Sequence, residues 1–157
     1  FNIVLVSPKI PQNTGTIGRT CVSIGARLHI IKPIPFELDE KKVRRAGLDY
    51  WNDLDLHVWD DLDAFLEAHP INNRHFFATT KTNRAYFDTN FKKDDFIYFG
   101  SEDSGLPEPL MQKNSDGMIN MQRYLFNLVT SSDIDRAVAL EYANDQVELE
   151  SLLKKKV

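Results

Sequence analysis

Short apolar runs alternate with longer amphipathic stretches along almost the whole chain. Ile3 to Val6 and Leu28 to Ile31 are close to continuous apolar runs, the pattern of strands buried on both faces. Between them apolar residues recur at Ile17, Cys21 and Ile24, the three-and-four spacing of a helix with one buried stripe. The same reading predicts strands over 2–7, 27–31, 55–59, 74–79, 96–100 and 117–121. It predicts helices over 14–25, over 39–46 from Asp39 to the stop at Gly47, and over 60–68, which Pro70 ends. A short helix within 106–113 is limited by Pro107 and Pro109. The last begins near Ser131 or Ser132, carries Ile134, Ala137, Val138 and Tyr142, and runs into a charged tail ending in three lysines. Strands alternating with helices imply an α/β fold on a mostly parallel sheet. With no repeat and no linker composition, residues 1–157 read as a single domain. The aromatics Phe76, Phe77, Phe96, Tyr98 and Phe99 fall on strand patterns and read as core.

Composition narrows the function classes. At 157 residues and 42% hydrophobic content the chain can bury a core. No apolar stretch is long enough to cross a bilayer and no signal-peptide pattern is present, so the expectation is a cytoplasmic protein with no membrane partner. The single cysteine, Cys21, cannot form an internal disulfide and sits on the apolar stripe, a poor place for a nucleophile. His29, His57, His69 and His75 lack the paired spacing of metal ligands, so no metal is expected. Net charge is −4, against a nucleic-acid partner at first sight. Residues 1–50, however, carry eight Lys or Arg against four acids, which allows a local basic surface on an acidic protein.

Three segments carry candidate chemistry. In "PQNTGTIGRTC", residues 11–21, Asn13 suits a helix cap and Gly15 admits close approach to the backbone. At about 100° per residue Arg19 lies about 200° around the helix from both Ile17 and Cys21, on an outer side shared with Thr16, Thr20 and Ser23. In "FGSEDSGLP", residues 99–107, an apolar strand runs into glycine-bracketed polar residues, placing them at a strand's carboxyl end, where open α/β sheets bind ligands. Neither the Walker spacing nor G-x-G-x-x-G is present. In "DEKKVRRAGLDYW", residues 39–51, four cations in five positions precede a tyrosine and a tryptophan, supplying charge for phosphates and flat faces for bases.

Taken together in this order, the segments resemble the SPOUT class of RNA methyltransferases, and within it the small TrmL (YibK-like) tRNA 2′-O-methyltransferases. "PKIPQNTGTIGRTC" resembles the first motif, "RRAGLDYW" the tRNA-contacting segment, "ATTK" at 78–81 the end of the fourth strand, and "FGSEDSGLP" the second motif. The resemblance spans about residues 2–121 and implies an α/β domain with a deep C-terminal trefoil knot, which sequence rules could not reach. It implies S-adenosylmethionine as cofactor, tRNA as substrate, and a homodimer with shared active sites. The reaction it implies is methylation of the ribose 2′-hydroxyl of the wobble nucleotide, position 34, a cytidine or modified uridine.

By position, the resemblance places Asn13, Arg19 and Glu102 in the active site and Ala78, Gly100, Met121 and Leu125 at the cofactor, with Arg44, Arg45 and Tyr50 on the RNA. Arg19 is the family's catalytic position. A guanidinium with a pKa above about 12 is an awkward base, so its expected role is to grip the ribose-phosphate and assist loss of the hydroxyl proton, with Asn13 and Glu102 holding the site together. The third motif departs: "INMQRYLFNLVTSS", residues 119–132, is shorter than the family pattern, lacks its proline, and has Leu125 where the family's serine stands. This departure favours one rival, an RNA-binding protein of the same fold with lost or altered methyl transfer. A doubly wound nucleotide- or flavin-binding domain is the other, and the missing phosphate fingerprint counts against it.

Overall fold

The computed structural model describes residues 1–38, 49–112, 114–119, 129, 135–142 and 146–154. The helix expected over 39–46 lies outside these residues, together with Arg44, Arg45, Met121 and Leu125. So does most of the segment through which the implied knot would thread.

The chain divides into two compact units, one of residues 1–77 and 91–117, the other of 78–90 and 118–157. The first is built on strands β1 (Asn2–Val6), β2 (Arg27–Ile31), β3 (Leu56–Trp59), β4 (His75–Ala78) and β5 (Phe96–Phe99). They pair in parallel in the order β3-β2-β1-β5-β4. The predicted strands are therefore observed, each within about a residue or two of its expected ends. The inner strands β1 and β2 are almost wholly buried, whereas β3 lies at an edge and exposes His57 and Val58.

Helix α1 (Pro11–Ile24) covers one face. Beneath it Leu5, Cys21, Ala26, Leu28 and Ile30 are buried, with Ile3, Ile17, Leu54, Leu56 and Phe99 packed around them. Parallel strands buried on both faces need a second cover. This is α2 (Leu62–Ala68), capped by Asp61, whose carboxylate accepts from the Ala64 N–H at 2.8 Å, and its Phe65 is fully buried. Phe65 packs edge-on to Trp59, Phe96 and Tyr98.

Two expectations about α1 are corrected. The helix begins at Pro11, three residues earlier than predicted, so Asn13 lies inside its first turn and caps nothing. Proline tolerates this first position because it has no N–H to leave unpaired. Ile24 is 58% exposed rather than part of the buried stripe, and the buried residues of α1 are Thr14, Gly15, Gly18 and Cys21, of which Gly18 faces Tyr50, Trp51 and Leu54. Gly25 closes the helix in the left-handed region with φ 64°.

A short helix α3 (Glu108–Gln112) follows β5. In the second unit, β6 is described over Met118–Ile119, and the Ile119 carbonyl accepts from the Thr79 N–H at 2.9 Å. Helices α4 (Arg136–Tyr142) and α5 (Gln146–Lys154) lie near its end. The expected charged tail is thus helical as far as Lys154, and Leu149 on it is fully buried. On α4 the buried residue is Ala139, while Val138 is 42% exposed.

Candidate active site

Strand order alone singles out one place on the first unit. The chain lays β1, β2 and β3 outward in one direction and places β5 and β4 on the other side of β1. The connections leaving the carboxyl ends of β1 and β5 therefore run to opposite sides, which makes this the switch point, the crevice at which α/β sheets bind ligands. The two loops are Ser7–Ile10, which leads into α1, and Gly100–Pro107, which leads into α3. Both come from segments that the sequence marked.

Glu102 joins them. Its carboxylate accepts from the backbone N–H of Lys9 at 2.8 Å and of Ile10 at 3.2 Å, and from the side-chain amide of Asn13 at 3.1 Å. A helix start leaves its first N–H groups without partners. Here a carboxylate about ninety residues away in sequence serves the donor at Ile10, and its charge complements the positive end of the helix dipole. Partial burial pushes the Glu102 carboxyl up, but the hydrogen bonds from Lys9, from its own backbone, from Asn13 and from Ile10 outweigh this and leave it below the usual carboxylate range. Glu102 is therefore ionised at neutral pH and acts as an anchor rather than a proton donor.

The second loop is closed on itself. The Gly105 N–H donates to the Ser101 carbonyl at 2.9 Å, and Gly105 lies at φ 70°. A side chain at Gly100 would place its first carbon 1.9 Å from the Gly105 carbonyl carbon, so only glycine fits there. The Ser101 and Ser104 hydroxyls both donate to Asp103, at 3.0 and 3.1 Å, and the Lys9 ammonium pairs with the other carboxylate oxygen. The lysine first, then the two hydroxyls, hold the Asp103 carboxyl at about 2. Across the crevice Ser7 adopts φ 51°, a left-handed conformation that a non-glycine residue seldom takes and that is found disproportionately at functional sites.

Arg19 is exposed on the outer side of α1, as its angular position predicted. Its guanidinium lies over the ring of Tyr50, 5.3 Å from the centroid. Among the described residues it makes no hydrogen bond or ion pair with Asn13, Glu102 or any other side chain. The structure therefore brings the predicted site residues together as two pairs, Asn13 with Glu102 and Arg19 with Tyr50, both attached to α1. Ala78 ends β4 and belongs to the second unit, whereas Gly100 directly follows β5 in the first.

Sequence reading missed Lys9, Ser101 and Asp103 as participants. The quoted loop contained the last two, but no local signal marked Lys9. Cys21 is 1% exposed, and burial pushes its thiol up to about 11, which removes it as a nucleophile. The four histidines, spread over 47 positions, meet in one aromatic cluster against α2. His29 accepts from the Trp59 indole N–H at 3.2 Å and faces the Asn2 amide oxygen at 3.3 Å. Burial, with the nearby charges of His57, His69 and Arg27, lowers it to about 3. Among the described residues no group of three or more His, Cys, Asp or Glu is placed to hold a metal, and no helix is long and apolar enough to cross a membrane.

The sequence profile of the SpoU rRNA methylase family matches residues 1–131. A protein of Burkholderia ambifaria named tRNA (cytidine(34)-2′-O)-methyltransferase is 45% identical over 114 residues, covering 72% of this chain and 73% of its own. A Bacillus subtilis relative is 40% identical over 124 residues, 77% of each chain. A solved structure concerned with 2-OH methylation of C/U34 on tRNA superposes with a TM-score of 0.70 at 38% identity, covering 76% of this chain and 78% of that one. An AdoMet-bound rRNA methyltransferase from Sinorhizobium meliloti, 18% identical with a TM-score of 0.62, covers 76% of this chain and 46% of its own and shares the fold.

Proposed function

The chain belongs to the SpoU rRNA methylase family, and we propose that it methylates the ribose 2′-hydroxyl of nucleotide 34 of a tRNA, a cytidine or a modified uridine. The observation that carries the reading is the joined crevice: Glu102 after β5 holds Lys9, Ile10 and Asn13 after β1 at the sheet's switch point, in a chain 45% identical to a relative named for this reaction.

The methyl donor in this reading is S-adenosylmethionine. The Gly100 turn suits a ligand gripped through main-chain groups, because the loop is held in one conformation by the Gly105 N–H bond to the Ser101 carbonyl and by the hydroxyls that donate to Asp103. Ala78, Met121 and Leu125 are the other cofactor positions that we assign. When bound, the cofactor supplies an electrophilic methyl group on a sulfonium. The protein's own task is then to present one oxygen in line and to favour loss of its proton.

Arg19 is the residue we assign to that task. An exposed guanidinium offers planar N–H groups that can hold a phosphate or ribose oxygen, and its fixed positive charge favours an oxygen that is losing a proton. Asn13 and Glu102 fix the crevice and supply no proton. Arg44 and Arg45 are assigned to the RNA. Since Arg19 has no tie to Glu102 within its own chain, the working form is a homodimer in which Arg19 of one subunit serves the crevice of the other. A tRNA substrate also implies a cytoplasmic protein.

Incubation of the protein with labelled S-adenosylmethionine and total tRNA, followed by mapping of the modified nucleotide, tests this. Label on the ribose of nucleotide 34 supports it. Tight tRNA binding without transfer favours the RNA-binding reading instead.

A further inference from the structure

The contacts of Tyr50 say more than its assignment to RNA. Its phenol O–H donates to the Gly15 carbonyl, which ties the ring to α1. A side chain at Gly18 would place its first carbon 3.5 Å from the Tyr50 ring, 3.3 Å from Leu54 and 3.7 Å from Trp51. The ring therefore lies against bare helix backbone. Residues 15, 18 and 19 form one patch on the helix, because positions three and four apart are neighbours there. Gly15 holds the hydroxyl, Gly18 receives the ring edge, and Arg19 crosses the ring face at 5.3 Å.

Each part of this seat bears on Arg19. An exposed arginine is free to take many rotamers, and ordering it on substrate binding costs side-chain entropy. An aromatic face beneath the guanidinium favours one arrangement before substrate arrives. The ring is effective only if it is itself held, which its packing beside Gly18 and against Trp51 does and the phenol hydrogen bond reinforces. Burial raises the Tyr50 phenol above its ordinary range, partly offset by the charge of Arg19, so the O–H remains protonated and the tie persists at working pH.

We infer that Tyr50 is a positioning residue, which holds the Arg19 guanidinium ready for the ribose rather than contacting RNA through its own ring. This rests on the reading that Arg19 serves methyl transfer.

The test is steady-state kinetics of the full chain with S-adenosylmethionine and tRNA, for wild type, Tyr50→Phe and Tyr50→Leu. It is paired with NMR of the Arg19 Nε–H resonance, which an aromatic ring beneath it shifts upfield. Removing the ring should lower kcat at least about tenfold, as loss of a prearranged group does. KM for tRNA should stay within about twofold, and the upfield shift should vanish. Tyr50→Phe keeps the ring and should keep both the shift and at least about a third of kcat. A rise in KM with kcat unchanged in Tyr50→Leu would overturn the inference, as would wild-type kinetics. If Tyr50→Leu does not fold, Tyr50→Phe decides: a retained shift with collapsed kcat overturns it, and retained shift and kcat support it. Arg19→Ala separates the two levels. An inactive Arg19→Ala beside a fully active Tyr50→Leu defeats this inference alone, whereas a fully active Arg19→Ala defeats the functional reading beneath it.

Discussion

The Asn13 side-chain amide donates to Glu102 at 3.1 Å, and the same carboxylate takes the backbone N–H groups of Lys9 and Ile10. One ionised side chain therefore ties the loops after β1 and β5 together. Glu102→Gln keeps the size but removes the charge and turns an amide N–H₂ toward N–H donors. Because the group is exposed, the stability loss should be at most about 1 kcal/mol, while methyl transfer should fall at least about tenfold through misplacement of the loops. Thermal melts beside transfer rates check this; a large melting shift with unchanged kcat would contradict it.

The two glycines of the second loop should respond differently to alanine. Gly100→Ala drives a carbon into the Gly105 and Leu106 backbone, at 1.9 and 2.1 Å, and no side-chain movement relieves this. It should cost at least about 3 kcal/mol and abolish transfer. Gly105→Ala meets nothing within 4 Å but must hold φ 70°, a penalty of about 1 kcal/mol. Urea titration of the two variants tests the ranking, and equal losses would contradict it.

A shared site predicts complementation. A mixed dimer of Arg19→Ala and Glu102→Gln subunits contains one crevice with both changes and one with neither, if Arg19 acts on its partner's crevice. Each mixed dimer should then have up to about half of wild-type activity, since one of its two sites is intact, and a randomly paired equimolar mixture up to about a quarter. Absence of any recovery, with the mixed species demonstrated by mass, would place Arg19 in its own chain's site.

Buried imidazoles make stability depend on pH in a range where the carboxylates do not. Burial first, then the charges of His57, His69 and Arg27, lower His29 to about 3; burial first, then His69, lowers His75 to about 4. The unfolded chain takes up protons at about 6.5, before these folded groups do. Their contribution is therefore complete above that value and is lost as pH falls toward 4, on the order of 3 kcal/mol for each. Asp55, Glu102 and Asp103, held below their ordinary ranges, lose their contributions only at lower pH. Urea midpoints should already fall between pH 6.5 and 5, and a flat profile there would contradict the buried neutral histidines.

The five parallel strands were legible because each is a short apolar run, and the period of the pattern reports burial directly. The start of α1 was not. Asn13 suits a cap on local grounds, but Pro11 opens the helix and Glu102, remote in sequence, serves its first donors. Ile24 misled for a similar reason: much of what α1 buries is Thr14, Gly15 and Gly18, small residues that carry no apolar signal. The histidine cluster was illegible from spacing, because β2, β3, α2 and β4 bring its members together only after the sheet has formed. Asn13, Arg19 and Glu102 were assigned to the site by resemblance alone, and the pairing of Asn13 with Glu102 and of Arg19 with Tyr50 was visible only in three dimensions.

The most direct test of the central claim is single-turnover methyl transfer to one purified tRNA acceptor, with nucleotide-resolved mass analysis, for wild type and Arg19→Ala. The account predicts one added methyl on the ribose of nucleotide 34 for wild type and none for Arg19→Ala, with the variant's circular dichroism unchanged. A methyl on a base or at another nucleotide, or full-rate transfer by Arg19→Ala, would contradict it.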